Sequence, residues 1–162
     1  MTTTEKTVYG QNYTEEERKL AKYIIGLEKS ALDKWFKGDT SGYEQLWSER
    51  SFTYFDAVVE KRIDDHAMIV KFLKTIDGKL FADSYDFRNP RVQIGKDMAV
   101  LTYQLFAKTT LIDMEYNCIE VYQRKKMENG VSSTLHGLLS DRWKRTSERR
   151  KTSCNFRLKN YT

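Results

Sequence analysis

The sequence predicts an α+β domain, with helices first and then a run of long antiparallel strands. Three observations carry this. An apolar stripe at Leu20, Ile24, Leu27, Ala31 and Trp35 steps by four, three, four and four residues, which is one helical face. A second stripe, Ile69, Phe72, Leu73 and Ile76, has the same periodicity. From Leu80 to Lys125 the chain becomes rich in Val, Ile, Tyr, Phe and Thr, with turn residues between the runs. A sheet of long hairpins needs one face covered, and amphipathic helices covering it leave room for a pocket between the two layers.

Residues 1–13 read as a disordered lead. Thr14 and Glu17 then form a capping box, in which the hydroxyl takes an orphan amide and the carboxylate reaches back. Gly38 and Asp39 stop the first helix, and the Asp-Thr-Ser segment caps a short second one with Tyr43, Leu46 and Trp47. Ser51 to Asp56 reads as a strand, and Val58 and Val59 as a short return strand. Asp64, Asp65 and His66 open the third helix, with His66 exposed at its start, and Asp77-Gly78 ends it. Segment 80–94 holds the single proline, Pro90, which marks an edge or bulged strand. Gly95-Lys96-Asp97 is a hairpin turn. Met98 to Lys108 and Glu115 to Arg124 are the two long strands that follow.

At 162 residues the chain has the length of one domain with a true core. Its 40% hydrophobic and 31% charged residues exclude collagen-like and wholly disordered classes. No run of 18 apolar residues occurs, so no membrane partner is expected. The start, Met1 to Glu17, lacks the apolar core of a secretory leader, and a cytoplasmic location is expected. Cys118 and Cys154 match neither a disulfide framework nor a zinc spacing. There is no P-loop and no dinucleotide fingerprint, so no cofactor and no metal are expected.

The charge is uneven. The formal net charge is +5, yet residues 126–162 hold nine basic residues against three acidic ones. Residues 1–125 hold 19 basic and 20 acidic. A basic tail is ordinarily a nucleic-acid contact. The run from Arg142 to Lys151 lacks aromatic interleaving apart from Trp143, so a nucleic-acid partner is not expected.

Several strings carry a resemblance: Ala31-Leu-Asp-Lys-Trp-Phe-Lys-Gly-Asp39, Phe52-Thr-Tyr-Phe-Asp56, Asn89-Pro-Arg-Val-Gln93, Ala99-Val-Leu-Thr-Tyr103 and Asn117-Cys-Ile-Glu-Val-Tyr122. Over residues 14–125 the chain resembles the nuclear transport factor 2-like superfamily, in its SnoaL-like, ketosteroid-isomerase-like branch. The resemblance implies a cone, in which a curved antiparallel sheet wraps N-terminal helices around an apolar cavity. It also implies a small apolar ligand and a homodimer. It does not decide between a small-molecule-binding domain or enzyme of unknown reaction and a non-catalytic dimerisation or interaction module.

Residues 126–162 depart from the family, whose domains close with a strand of the form G-x-W-R-x-x-H-x-x-W-S. Reading one base out of phase from the last base of Lys126, with suitable synonymous codons, yields N-G-K-W-R-V-I-H-S-T-W-S. Both tryptophans need only T-ending codons at Asn129 and His136. The atypical basic tail therefore reads as out of frame, through a one-base slip in the adenines encoding Lys125-Lys126. The alternatives are an evolved basic tail and a non-functional frameshifted product. The final strand is expected to be missing or replaced. The domain is then poorly stable unless Ser132 to Ser140 substitutes for it.

Asp56 and Tyr54 are the candidate catalytic pair, being two apart and on one face of a strand. The resemblance suggests a pocket-mouth base with a phenol donor, and the plain alternative is a turn aspartate. On the Cys118 strand, Tyr116, Cys118, Glu120 and Tyr122 share one face, and Asn117, Ile119 and Val121 the other. Glu120, Asn117 and Tyr103 are candidate ligand contacts that could equally pair across the sheet. Trp35, Trp47, Phe55 and Phe72 either line a pocket or pack the core. Cys118 reads as a small buried apolar residue.

Overall fold

A computed structural model describes residues 13–49, 52–56, 61–125 and 134–144. The expected return strand at Val58 and Val59 and the expected disordered lead up to residue 12 lie outside them.

Helix α1 (Glu15–Trp35) starts at the predicted capping box. Thr14 Oγ1 accepts from the Glu17 amide at 3.2 Å, and the Glu17 carboxylate accepts from the Thr14 amide at 2.7 Å. Three acids in its first turn and Lys34 in its last suit the helix dipole. The chain turns at Gly38, whose φ of 78° favours glycine, into α2 (Ser41–Leu46). The predicted six-residue strand is reduced to β1 (Thr53–Tyr54), tied by Tyr54 to Ile63 through two backbone hydrogen bonds. Helix α3 (His66–Ile76) is capped by Asp65, whose carboxylate accepts from the Ala67 and Met68 amides. His66 is half-buried rather than exposed, because its ring packs edge-on against Phe52 at 5.7 Å.

The strands are β2 (Tyr85–Ile94), β3 (Met98–Lys108), β4 (Asp113–Lys125) and β5 (Thr134–Lys144). They form one sheet in the order β1-β5-β4-β3-β2. Strand β2 begins later than Leu80, because Phe81 is engaged elsewhere, bridging to Lys37 and bonding to Thr110. As Pro90 predicts, β2 is both an edge strand and a bulged one. The register shifts between Arg88 and Arg91, with Asn89 at a φ of 51°.

The final strand is replaced, not missing. Strand β5 lies between β1, which it meets in parallel, and β4, which it meets antiparallel. The ladder runs from Tyr116↔Lys144 to Val121↔Leu139, then jumps to Tyr122↔Gly137, so Leu138 is an extra residue in a bulge. The replacing segment is Thr134–Lys144, longer and later than the expected Ser132 to Ser140. Ladder bonds are made by backbone, so a slot between two strands accepts a segment without the family motif.

The helices cover one face of this curved sheet. Ala21, Ile24, Leu32 and Trp35 of α1 and Ile69 and Leu73 of α3 are buried, as are Leu101, Leu105, Met114, Tyr116 and Cys118 of the sheet. The inner face of β4 is therefore the Cys118–Glu120 face, and Asn117 and Ile119 stand on the exposed one. No helix among the described residues is long and apolar enough to cross a membrane.

Candidate functional site

Inside the cone the largest departure from an apolar core is Glu28, which is fully buried on α1. An ionised carboxylate in such a place is costly unless its oxygens are hydrogen-bonded. Here three phenols converge on it from three elements. Tyr43 of α2 donates to Oε1 at 2.8 Å, Tyr103 of β3 donates to Oε1 at 2.6 Å, and Tyr122 of β4 donates to Oε2 at 2.7 Å. All three tyrosines are themselves buried. Each phenol thereby finds the partner that a buried hydroxyl needs.

Glu120 is the second buried carboxylate, on the same face of β4 as Tyr122. The tyrosine hydroxyls feel both acids. Burial, and then the Glu28 charge, push the Tyr103 phenol well above its ordinary range, with a smaller contribution from Glu120. Tyr122 is raised in the same way, first by burial, then by Glu28, then by Glu120. Each phenol proton is thus held on the phenol and pointed at Glu28.

Tyr54 of β1 and Asp56, just beyond it, are in contact. The Tyr54 hydroxyl donates to Asp56 Oδ2 at 2.6 Å. Tyr54 is buried and Asp56 half-buried. Trp47 joins this pair to the Glu28 cluster, with its ring 5.4 Å from both Tyr43 and Tyr54. Trp35 meets Tyr43 edge-on at 5.3 Å. An unbroken run of rings, Trp35–Tyr43–Trp47–Tyr54, therefore leads from the interior carboxylate to Asp56.

Of the residues singled out from the sequence, Tyr103, Glu120, Trp35, Trp47 and Tyr54 meet in the interior, with Asp56 at the end of the ring chain. Phe72 is half-buried and packs against the core from α3, whereas Phe55 neither lines the interior nor packs the core, being exposed on the opposite side of the chain from its neighbour Tyr54. Asn117 is placed elsewhere. It stands on the exposed face of the sheet and accepts from Gln104 Nε2 at 3.2 Å, while Gln104 accepts from Asn89 Nδ2 at 3.1 Å.

No family model matches the sequence, and no curated protein matches it. Solved structures do. A ketosteroid isomerase-like protein from Parabacteroides distasonis aligns with a TM-score of 0.64 at 24% identity, over 88% of this chain and 98% of its own. An NTF2-like protein from Cytophaga hutchinsonii aligns at 0.60 and 12% identity, over 76% and 96% of the two chains. A CaMKII hub from S. rosetta aligns at 0.58 and 16% identity, over 76% and 95%. The chain has the nuclear transport factor 2-like fold. In this nuclear transport factor 2-like cone, Glu28 projects from the first helix toward the inner face of the sheet.

Sequence reasoning missed Glu28 and the part that Tyr43 plays. The stripe read from the sequence ran through Leu20 and Leu27, which are only partly buried. The buried face runs through Ala21, Ile24, Glu28, Ala31, Leu32 and Trp35. Glu28 lies four residues from both Ile24 and Leu32, so a carboxylate in mid-stripe was the available signal.

Two open grooves lie outside the cone. One, of about 440 Å³, is lined by Asp83, Tyr85, Asp86, Lys108 and Met114 among others. The other, of about 470 Å³, is lined by Phe36, Lys37, Phe81 and Thr110 among others. Neither includes a residue of the Glu28 cluster. Among the described residues no cluster of His, Cys, Asp and Glu could hold a metal ion.

Proposed function

We propose that this chain is a small-molecule-binding domain of the SnoaL-like type, whose ligand sits inside the cone against Glu28, Glu120 and the aromatic chain. The observation that carries this is the polar interior. A domain that needed only stability would do as well with apolar residues in place of a buried carboxylate set, since such replacements are often neutral or stabilising. The phenol protons are committed to Glu28, so the cluster offers mainly acceptor oxygens between aromatic walls. That chemistry suits a small, mostly apolar ring compound bearing a hydroxyl or amine donor. Asp56 and Tyr54, at the other end of the ring chain, are the groups to move a proton on such a ligand.

The test is thermal denaturation of the full chain with a panel of hydroxyl- and amine-bearing ring compounds, in wild type and Glu28→Gln. A ligand at a hundred times its Kd stabilises by about 2.7 kcal/mol, a rise of roughly 5–10 °C for a domain of this size. The rise should appear in wild type and shrink in the variant. No stabilisation by any compound, or equal stabilisation of both proteins, counts against the site.

A second reading, a homodimerising interaction module, is favoured by the outer sheet face. Ile119 is 37% exposed there, beside the polar ladder Asn89–Gln104–Asn117, and Met98, 43% exposed, stands at the far end of β3. The CaMKII hub among the similar structures supports this use of the fold. Ile119→Lys should halve the mass in sedimentation if this face joins two copies, and leave it unchanged otherwise.

A further inference from the structure

Tyr13 makes an unusual contact. It stands immediately before the N-cap Thr14, and the capping box of α1 fixes where it points. Its hydroxyl donates to Val92 O at 2.7 Å and accepts from Ile94 N at 3.2 Å. Both groups belong to β2, the terminal strand of the sheet. No described strand pairs with the outer side of β2, and there one phenol does what a neighbouring strand would otherwise do, satisfying one carbonyl and one amide two residues apart.

The spacing of those two groups is self-complementary. In antiparallel pairing, a non-hydrogen-bonded pair is flanked by bonds from residue i+1 of each strand to residue i−1 of the other. A two-fold axis at Gln93 would therefore set Ile94 N of each copy against Val92 O of the other. These are the two groups that Tyr13 occupies. The rest of the edge discourages longer pairing. Pro90 has no amide to donate, and the Asn89 bulge breaks the ladder. Open edges are a liability that proteins blunt by such devices.

We infer that Tyr13 is an edge guard, and that the partner it keeps off β2 is the same β2 edge of a second copy. The phenol and the second strand compete for Val92 O and Ile94 N. Val92 is fully buried and Ile94 partly buried at this contact, so removing the hydroxyl frees both groups of their bond, and the ring then swings aside for isologous pairing.

The experiment compares wild type, Tyr13→Phe and Tyr13→Phe/Gln93→Lys by sedimentation over a wide protein concentration range, with amide exchange at Ile94. In dilute Tyr13→Phe the Ile94 amide should exchange at least tenfold faster than in wild type. With rising concentration the mass should double relative to wild type, and Ile94 protection should return with it. Lys at position 93, on the paired edge, should restore the wild-type mass. A Tyr13→Phe protein that melts cooperatively but keeps the wild-type mass at every concentration overturns the inference, and Tyr13 is then only an anchor for the helix start. A doubled mass without recovered Ile94 protection also overturns it, since assembly then uses another surface. Should Tyr13→Phe fail to melt cooperatively, wild type bearing Gln93→Cys decides. A disulfide-linked Gln93→Cys dimer in which the Tyr13 ring becomes open to nitration while the Ile94 amide stays protected supports the guard, and a linked dimer in which Tyr13 is as shielded as in the monomer overturns it.

Discussion

The Tyr122 hydroxyl donates to Glu28 at 2.7 Å although the two residues are 94 positions apart in the chain. With Tyr43 and Tyr103 on the same carboxylate, one side chain of α1 is joined to α2, β3 and β4 at once. The cluster therefore sets how the helix layer sits on the sheet. Glu28→Gln keeps the shape but replaces one acceptor oxygen with an amide donor and removes the charge. Hydrogen bonds to a charged group contribute about 1.5–3 kcal/mol each, so the variant should lose about 2 kcal/mol in urea denaturation. Glu28→Leu leaves three buried phenols without their acceptor and should lose more. A Glu28→Leu protein as stable as wild type would show that the phenols find other partners at no cost.

Alkaline stability follows from the raised phenols. Tyr103 and Tyr122 keep their protons in the folded chain above pH 10, where unfolded tyrosines begin to lose theirs. The folded state then binds more protons than the unfolded state, so stability is fully present below pH 10 and falls as pH rises above it. Each such tyrosine adds a slope of at most about 1.4 kcal/mol per pH unit. Urea denaturation between pH 9 and pH 11.5 should show a steep fall beyond pH 10, shallower in Tyr103→Phe and in Tyr122→Phe. Equal slopes in all three proteins would sink the assignment.

Tyr54 and Asp56 form one bond at 2.6 Å, so they should act as a unit. Tyr54→Phe and Asp56→Asn should each cost about 1 kcal/mol, and the double variant should cost less than the two single losses added. Strict additivity would mean that the bond contributes nothing. In the ligand assay, Asp56→Asn should weaken binding and slow proton exchange on the bound molecule, since a group that moves a proton lies within hydrogen-bond reach of it, and unchanged binding and exchange would remove Asp56 from the site.

The fold was largely legible because it rests on local patterns. The capping box at Thr14, the stripe ending at Trp35, the Gly95 turn and the bulge around Pro90 all signal through nearby residues. The Tyr54–Asp56 contact is equally local, joining residues two apart, although Asp56 lies just past the end of β1. The Glu28 cluster was not. Its members are brought together by tertiary packing from positions 28, 43, 103 and 122, and choosing Leu27 over Glu28 shifts the buried face of α1 by one residue. Which face of β4 points inward was equally closed to the sequence, since Asn117 and Glu120 sit on alternating faces of one amphipathic strand. The replacing strand was legible only roughly, as Ser132 to Ser140, because backbone pairing with β1 and β4 sets its bounds at Thr134–Lys144.

The slot filled by β5 gives the last prediction. Thr134–Lys144 pairs on both sides but needs a bulge opposite Val121 and Tyr122, and it belongs to the basic segment that departs from the pattern of the family the sequence resembles. A segment read out of frame would carry no side-chain selection for that slot, so its stabilisation would come from backbone pairing alone. Replacing residues 127 onward with N-G-K-W-R-V-I-H-S-T-W-S, after the retained Lys126, should then supply matched side chains as well. At roughly 2–4 °C per kcal/mol for a domain of this size, two kcal/mol of added packing would raise Tm by about 5 °C. Re-reading the DNA across Lys125-Lys126 and weighing the intact protein test the same idea independently. A higher Tm together with an extra adenine would establish the slip. A lower Tm in the replaced protein would mean that Thr134–Lys144 fits its two neighbours better than the family strand does, and that the basic tail was selected as it stands.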